Sequence, residues 1–568
     1  MRVVGQALLC LCCTIASLQA ADDFVLGGSI GPSWEEAAAE APVIDFDSRP
    51  GWLLPRSVQS GINVAAGSPE RGGFVVSPNA QAVLRLSTSV LAEQLAWVVD
   101  GNHDTAFEVK NVVATGVFLV LDLGARFGVD HIRFFPRASF RTDFMKGYVM
   151  SVNDGVFGAD IVAASPDKLP NRSLFTIVGQ EQGNNRDTVD VRFPLQYVRY
   201  VRLESTQRFN WEIDELELFG RGFVPEAEYL TVPLDLGRPT LWGRVRWAPE
   251  RTGREGKSRL VLSTRTGDAT EIDDSWSPWS APLTGSDEQI QSPSPRRYIQ
   301  YRIRFESDGL EDGMAIDSLS FGHSPALATS TLAEVWPQSV EVGQDTTFTY
   351  AVRIAGASGI DGLQIDTGAP VVQVRALRID GVDAAFTTEP GDTGLLIVFA
   401  PQQGNHLLEV DFDTAVLRYE TVLEGRLLAS GSDSLPQRVV AGDATTQLPG
   451  NDLSVRVPLR GFDVLYNVEL TPAAFSPNGD GVNDEVVIAY DVLHLTQAVP
   501  VAVDIFDLSG RRVARLNPAD EASGRHLSRW DGHDDDGNTV PPGVYLVHVE
   551  VETDQGTQRS SRAVCVAY

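Results

Sequence analysis

Trp211–Gly220 reads W-E-I-D-E-L-E-L-F-G. Leu216 and Leu218 share one face of an extended chain there, and Glu215 and Glu217 share the other, because successive side chains of a strand alternate. Comparable alternating runs recur at roughly 10-residue intervals along the chain, separated by Gly, Asp, Asn and Pro, which is the pattern of short strands joined by turns. Helical periodicity is almost absent, and Glu35–Glu40 is the one short helix expected. The predicted fold class is therefore all-β, a string of β-sandwich modules.

The chain has 568 residues, more than one hydrophobic core serves. Hydrophobic residues at 43% and charged residues at 21% exclude a disordered protein. Forty-six basic against 76 acidic residues leave a net charge of −30, which opposes binding to nucleic-acid phosphates and to anionic membrane surfaces. It suits a solvated extracellular protein that holds Ca²⁺.

Met1–Ala20 has the form of a secretory signal, with Arg2 at its start, an apolar run too short to span a bilayer, and the small Ala20 for cleavage. A secreted or outer-surface location follows. Leu9, Leu11 and Cys12 are not the small residues that lipid attachment requires, so no lipid anchor is expected. Cys565 is then alone in the mature chain, no internal disulfide is possible, and stability must rest on large cores or on metal. No later apolar stretch predicts a transmembrane helix.

After the signal, residues 21–75 read as a tethering segment. Four modules follow at about 76–222, 223–325, 326–462 and 463–568. In the first, Asp100–Thr105 is a tight turn dense in oxygen donors. Asp100, Asn102, Asp104 and Thr105 offer side-chain oxygens, and Ca²⁺ takes six to eight oxygens in flexible geometry. The same residues also suit a solvated turn. Arg137, Phe140 and Arg141 follow one strand, and Phe209 and Trp211 precede the last. Aromatic faces with guanidinium donors suit sugar recognition, although Trp211 also suits a core and Arg137 a structural ion pair.

Five segments in order carry a resemblance: W-V-V-D-G-N-H-D-T-A-F (Trp97–Phe107), V-L-D-L-G (Val120–Gly124), V-D-H-I-R-F-F-P-R (Val129–Arg137), Y-V-R-L-E-S (Tyr200–Ser205) and W-E-I-D-E-L-E-L-F-G. Together they resemble discoidin domains, also called coagulation-factor type C or galactose-binding-like domains. The resemblance implies a jelly-roll sandwich that binds glycans, proteins or lipid headgroups through loops at one end. It also implies a structural calcium site in which an acidic residue at the place of Glu215 joins the Asp100–Thr105 turn.

The last module contains L-T-P-A-A-F-S-P-N-G-D-G-V-N-D-E (Leu470–Glu485), V-D-I-F-D-L-S-G-R-R-V (Val503–Val513) and W-D-G-H-D-D-D-G-N-T-V-P-P-G-V-Y (Trp530–Tyr545). It resembles the Ig-like domain of the flagellar hook-capping family and is similar to the C-terminal sorting domains of the type IX secretion route. The resemblance implies a surface or secreted bacterial protein. Asn478, Asp480, Asn483 and Asp484 suit either a second calcium loop or a turn held by side-chain-to-backbone hydrogen bonds. Residues 326–462 read as an Ig-like or cohesin-like spacer. In 223–325, Trp276 and Trp279 read as packing residues or as a second sugar platform.

No catalytic constellation assembles. The eight histidines are scattered, and there is no H-E-x-x-H, phosphate-cradling glycine loop or G-x-S-x-G elbow. The expectation is a non-enzymatic binding protein whose partner is a glycan or a cell-envelope component. The alternative is a structural or adhesive surface protein that grips another protein, with the sandwiches as spacers.

Overall fold

The computed structural model describes residues 22–28, 31–110, 115–156, 172–458, 463–495, 497–554 and 556–567; Met1–Ala20, the stretch with the form of a secretory signal, lies outside them. The chain is all-β, and it divides into two compact units, Asp22–His323 and Ser324 onward.

In Asp22–His323, the long strands Phe118–Phe135 and Val189–Ser205 pair at the centre of an antiparallel sheet. Glu215–Gly220 lies on one side of this pair, and Tyr148–Asn153 and Thr176–Glu181 lie on the other. Trp211–Ile213 pairs with Phe107–Val109 in a separate two-stranded ribbon. The run expected as one strand over 211–220 thus forms two pieces broken at Asp214. A second sheet carries Asp22–Gly27, Gly313–Pro325, Leu234–Thr252, Arg296–Ser307, Glu226–Thr231 and Ala38–Glu40 in that order.

Residues 21–75 are not a tether in the structure. Asp22–Gly27 pairs with Gly313–Pro325, and Ala38–Glu40 pairs with Glu226–Thr231. Leu26, Trp34, Ile44 and Leu53 enter one apolar core that also holds Val120's neighbours Leu119 and Leu121, and Tyr229, Ile303 and Phe321. Burying that much apolar surface outweighs the cost of ordering the segment. The helix expected over Glu35–Glu40 is instead a turn followed by the strand Ala38–Glu40. Tertiary pairing decides this, because the Tyr229 hydroxyl donates to the Trp34 carbonyl at 2.6 Å and the Trp34 indole donates to the Asp317 carbonyl at 3.0 Å. A helix does form at Thr88–Ala96, where the Ser87 hydroxyl caps the Val90 amide at 3.3 Å and Leu91 and Leu95 face the core.

In the other unit, Thr346–Asp366 and Gly394–Thr414 form a long antiparallel pair at the heart of one sheet. Residues 463–567 make a sandwich. A sheet of Leu465–Thr471, Val486–Val492 and Gly524–Trp530 packs on one built around Val499–Asp507, Gly543–Thr553 and Gly556–Val566. Ile488, Trp530, Val503 and Val547 share its core. The Asn478–Asp484 loop spends its side chains on its own backbone. Asp484 accepts the Gly479 and Gly481 amides at 2.8 and 2.7 Å, and Asp480 accepts the Val482 amide at 2.8 Å.

Trp34→Ala tests the integration of the N-terminal segment. Removing this buried ring should cost about 3–5 kcal/mol in urea unfolding of the full chain. A segment that only tethers would leave the transition unmoved.

Candidate ligand-binding end of the first module

Gly101 occupies the left-handed region with φ +72°, which lets the turn reverse immediately after the buried Val98 and Val99. Asp100 then organises the turn: its Oδ1 accepts the Asn102 amide at 2.8 Å, and its Oδ2 accepts the Thr105 hydroxyl at 2.9 Å. The Asn102 side-chain oxygen accepts the Asp104 amide at 3.2 Å. The Gly101 amide donates to Glu215 Oε1 at 2.6 Å, across 114 residues of chain.

Glu215 is 2% exposed, and its Oε2 has no hydrogen-bond partner among the described residues. Its neighbour Asp214 is equally buried. One Asp214 oxygen meets His103 Nδ1 at 3.1 Å, and the other has no hydrogen-bond partner among the described residues. Burial pushes the Glu215 carboxyl up to about 8, and the charges of Asp100 and Asp214 add to the rise. Burial raises Asp214 as well, against the pull of His103. The structure therefore brings Asp100, Thr105 and Glu215 together. Asn102 Oδ1 is engaged within the turn, and the Asp104 carboxylate makes no hydrogen bond or ion pair among the described residues. Among those residues no group of three His, Cys, Asp or Glu side chains is disposed to hold a metal. Any cation held here therefore needs neutral oxygens beside the carboxylates.

Three residues earlier the opposite solution appears. The Glu212 side chain is fully enclosed, and Arg137 clasps it with Nε to Oε1 at 3.0 Å and Nη2 to Oε2 at 2.8 Å. Lys110 adds a third contact at 2.8 Å, and Glu108 also pairs with Arg137. Burial alone would raise the Glu212 carboxyl, but the Arg137 and Lys110 donors outweigh it and hold it below the ordinary range. The sequence offers a structural ion pair as one alternative for Arg137 but does not name its partner; the signal for Glu212 is a carboxylate between Trp211 and Ile213, both of which are core residues.

For two of the residues considered for a sugar face, the structure takes the other alternative, a core position for Trp211 and an ion pair for Arg137. Trp211 is 2% exposed and sits edge-on to Phe107 at 5.7 Å, so its ring is core. Arg137 keeps its guanidinium in the Glu212 clasp. The remaining three are open to solvent: Phe140 at 42%, Phe209 at 53% and the Arg141 side chain at 70%. Phe140 lies over Lys110 and Arg137, with charged-atom-to-ring distances of 4.2 and 4.6 Å. Backbone bonds lock the surrounding loops together. Thr206 N donates to Gly147 O at 2.9 Å, Glu212 N to Asp143 O at 2.8 Å, and Asn184 N to Lys146 O at 2.8 Å. Gln207, which the sequence reading passed over, ties the same loops by donating to the Gln182 carbonyl at 3.0 Å.

Residues 485–555 match the family described as FlgD Ig-like domain. No curated protein matches the chain. Solved structures similar to it include chitosan-binding module 1 of a Paenibacillus sp. IK-5 chitosanase/glucanase, at 15% identity over 28% of this chain and 99% of that one, with a TM-score of 0.20. The Clostridium perfringens module CpGH89CBM32-5, solved with GalNAc-β-1,3-galactose, aligns at 16% identity over 26% and 97%, with a TM-score of 0.20. A family 32 module from C. perfringens NanJ in complex with galactose aligns at 18% identity over 22% and 82%, with a TM-score of 0.17.

Two measurements check this geometry. Because the folded-state pKa of Glu215 lies above its value in an unfolded chain, its contribution to stability is full below about pH 4.5 and is lost as pH rises through about 8. The metal-free chain should therefore melt at a lower temperature at pH 9 than at pH 5, and Glu215→Gln should flatten that slope. Arg137→Ala should cost about 3–5 kcal/mol by stranding the buried Glu212 charge. In urea unfolding, the double variant with Glu212→Ala should recover part of that loss.

Proposed function

We propose that this chain is an exported, non-enzymatic binding protein of the bacterial surface or surroundings. It takes carbohydrate at the loop end of residues 76–222, and Ca²⁺ stabilises that end. The observation that carries the reading is the set of exposed aromatic rings, Phe140 and Phe209, on loops fastened to one another by backbone bonds. Such rings cover the apolar C–H face of a pyranose, and Arg141 supplies donors for hydroxyls. Rigid loops lower the ordering cost of binding.

The calcium part rests on chemistry of the donor set. Glu215 Oε2 is buried without a partner beside Asp100 and Thr105, and an uncompensated buried carboxylate is costly unless a cation meets it. Asp100, Thr105 and Glu215 are the residues that would hold the ion, with oxygens of Asn102 and Asp104 available from the same turn. The ion would supply positive charge that lets Glu215 ionise and would fasten the turn to the last strands. The export part rests on Met1–Ala20.

Affinity electrophoresis of the full chain through immobilised polysaccharides tests the reading. At least one neutral polysaccharide should retard the wild type, and Phe140→Ala with Phe209→Ala should abolish the retardation while the melting temperature stays within a few degrees. Silent polysaccharides, together with capture of one envelope protein that the same double variant loses, would transfer the site to protein adhesion.

A further inference from the structure

We propose a second binding site, separate from the loop end and independent of the reading above: a platform of Trp279, Arg265 and Arg302 that takes an anionic saccharide, one bearing a uronate carboxylate or a sulfate.

The segment W-S-P-W-S-A lies along the strand Ser258–Gly267 and is pinned at both serines. Ser277 N donates to the Thr266 carbonyl at 2.8 Å, and Ser280 N donates to the Thr264 carbonyl at 2.8 Å. The Ser277 and Ser280 hydroxyls accept the Thr266 and Thr264 amides at 3.2 and 3.1 Å. Trp276 is buried, and its indole donates to the Ala269 and Glu271 carbonyls at 3.0 and 3.1 Å. Trp279, three residues on, stays half-buried. Rings and guanidiniums then alternate. Arg265 Cζ lies 5.7 Å from the Trp276 ring centre and 4.5 Å from that of Trp279, and Arg302 Cζ lies 4.8 Å from Trp279.

Stacking explains where the two arginines rest but not why they lack anions. Other arginines of this sheet region have carboxylate partners: Arg254 with Asp312, Arg259 with Glu306, Arg296 with Asp268 and Arg297 with Asp235. In a chain with 30 more acidic than basic residues, such pairing is the expected outcome. Arg265 and Arg302 form no ion pair among the described residues. The one hydrogen bond of Arg265 runs from Nε to Gln300 Oε1 at 2.7 Å, and Gln300 is itself fixed by donating to the Thr231 carbonyl at 2.6 Å. That anchor fixes the guanidinium while leaving its terminal nitrogens uncommitted. Burial and the nearby positive charge of Arg302 both work against the Arg265 charge. Two like charges thus face one indole without a counter-ion, on a rigid frame. A planar guanidinium fork matches a carboxylate or sulfate, and the Trp279 ring against which both guanidiniums stack holds the two forks in place.

Intrinsic-fluorescence titration of the full chain at low salt tests this, with three probes: an oligogalacturonate, a sulfated galacto-oligosaccharide and a neutral galacto-oligosaccharide. The wild type should bind at least one of the two anionic probes saturably, and added salt should weaken that binding. Arg302→Gln and Arg265→Gln should each weaken it about tenfold or more, with unchanged circular dichroism. Phe140→Ala with Phe209→Ala should leave it intact, which separates this site from the loop end. Should either glutamine variant misfold, Arg302→Lys keeps the charge, removes the fork and should still weaken binding. Failure of the wild type to bind either anionic probe, wild-type affinity in the folded arginine variants, or equal loss of the neutral probe would overturn the proposal.

Discussion

A single buried carboxylate closes the first module. Glu215 accepts the Gly101 amide with one oxygen and leaves the other unpartnered, so the turn that follows the helix is tied to the last strand of its sheet. Three residues away, Glu212 is equally buried but receives Arg137 and Lys110. Two neighbouring acids therefore stand in opposite electrostatic conditions: one is compensated by fixed cations, while the other receives an amide and is pushed up by burial. The proposed Ca²⁺ would supply at Glu215 what the side chains do not.

The compensated half has its own consequence. By holding Glu212, Arg137 and Lys110 build a charged floor under Phe140. The ring is thus positioned by cations that face inward. Phe140 and the buried Glu212 thus belong to one construction, in which the ion network sets the position of the ring.

Much of this was legible in the sequence. Alternation identifies an all-β chain, and the resemblance sets Glu215 beside the acidic turn, where the structure has it accept the Gly101 amide. Side-chain direction at the ends of strands stays open in the sequence, where Trp211 suits a sugar face or a core and Arg137 a ligand donor or an ion pair. Trp211 and Arg137 sit in loops by sequence pattern, yet the short ribbon with Phe107–Val109 turns the Trp211 ring inward and sets Glu212 against Arg137. The N-terminal segment was misread because its strands are short and their partners, Glu226–Thr231 and Gly313–Pro325, lie some two to three hundred residues away. Local pattern carries no trace of pairing at that distance. The helix Thr88–Ala96 was missed although Ser87 caps it and Leu91 and Leu95 are spaced for one face.

Calorimetric titration of Ca²⁺ into the metal-free full-length chain, for the wild type and for Glu215→Gln, decides whether Glu215 holds a cation. The wild type should show one saturable site and the folded variant none. No saturable heat in the wild type, or the same site in Glu215→Gln, would contradict it.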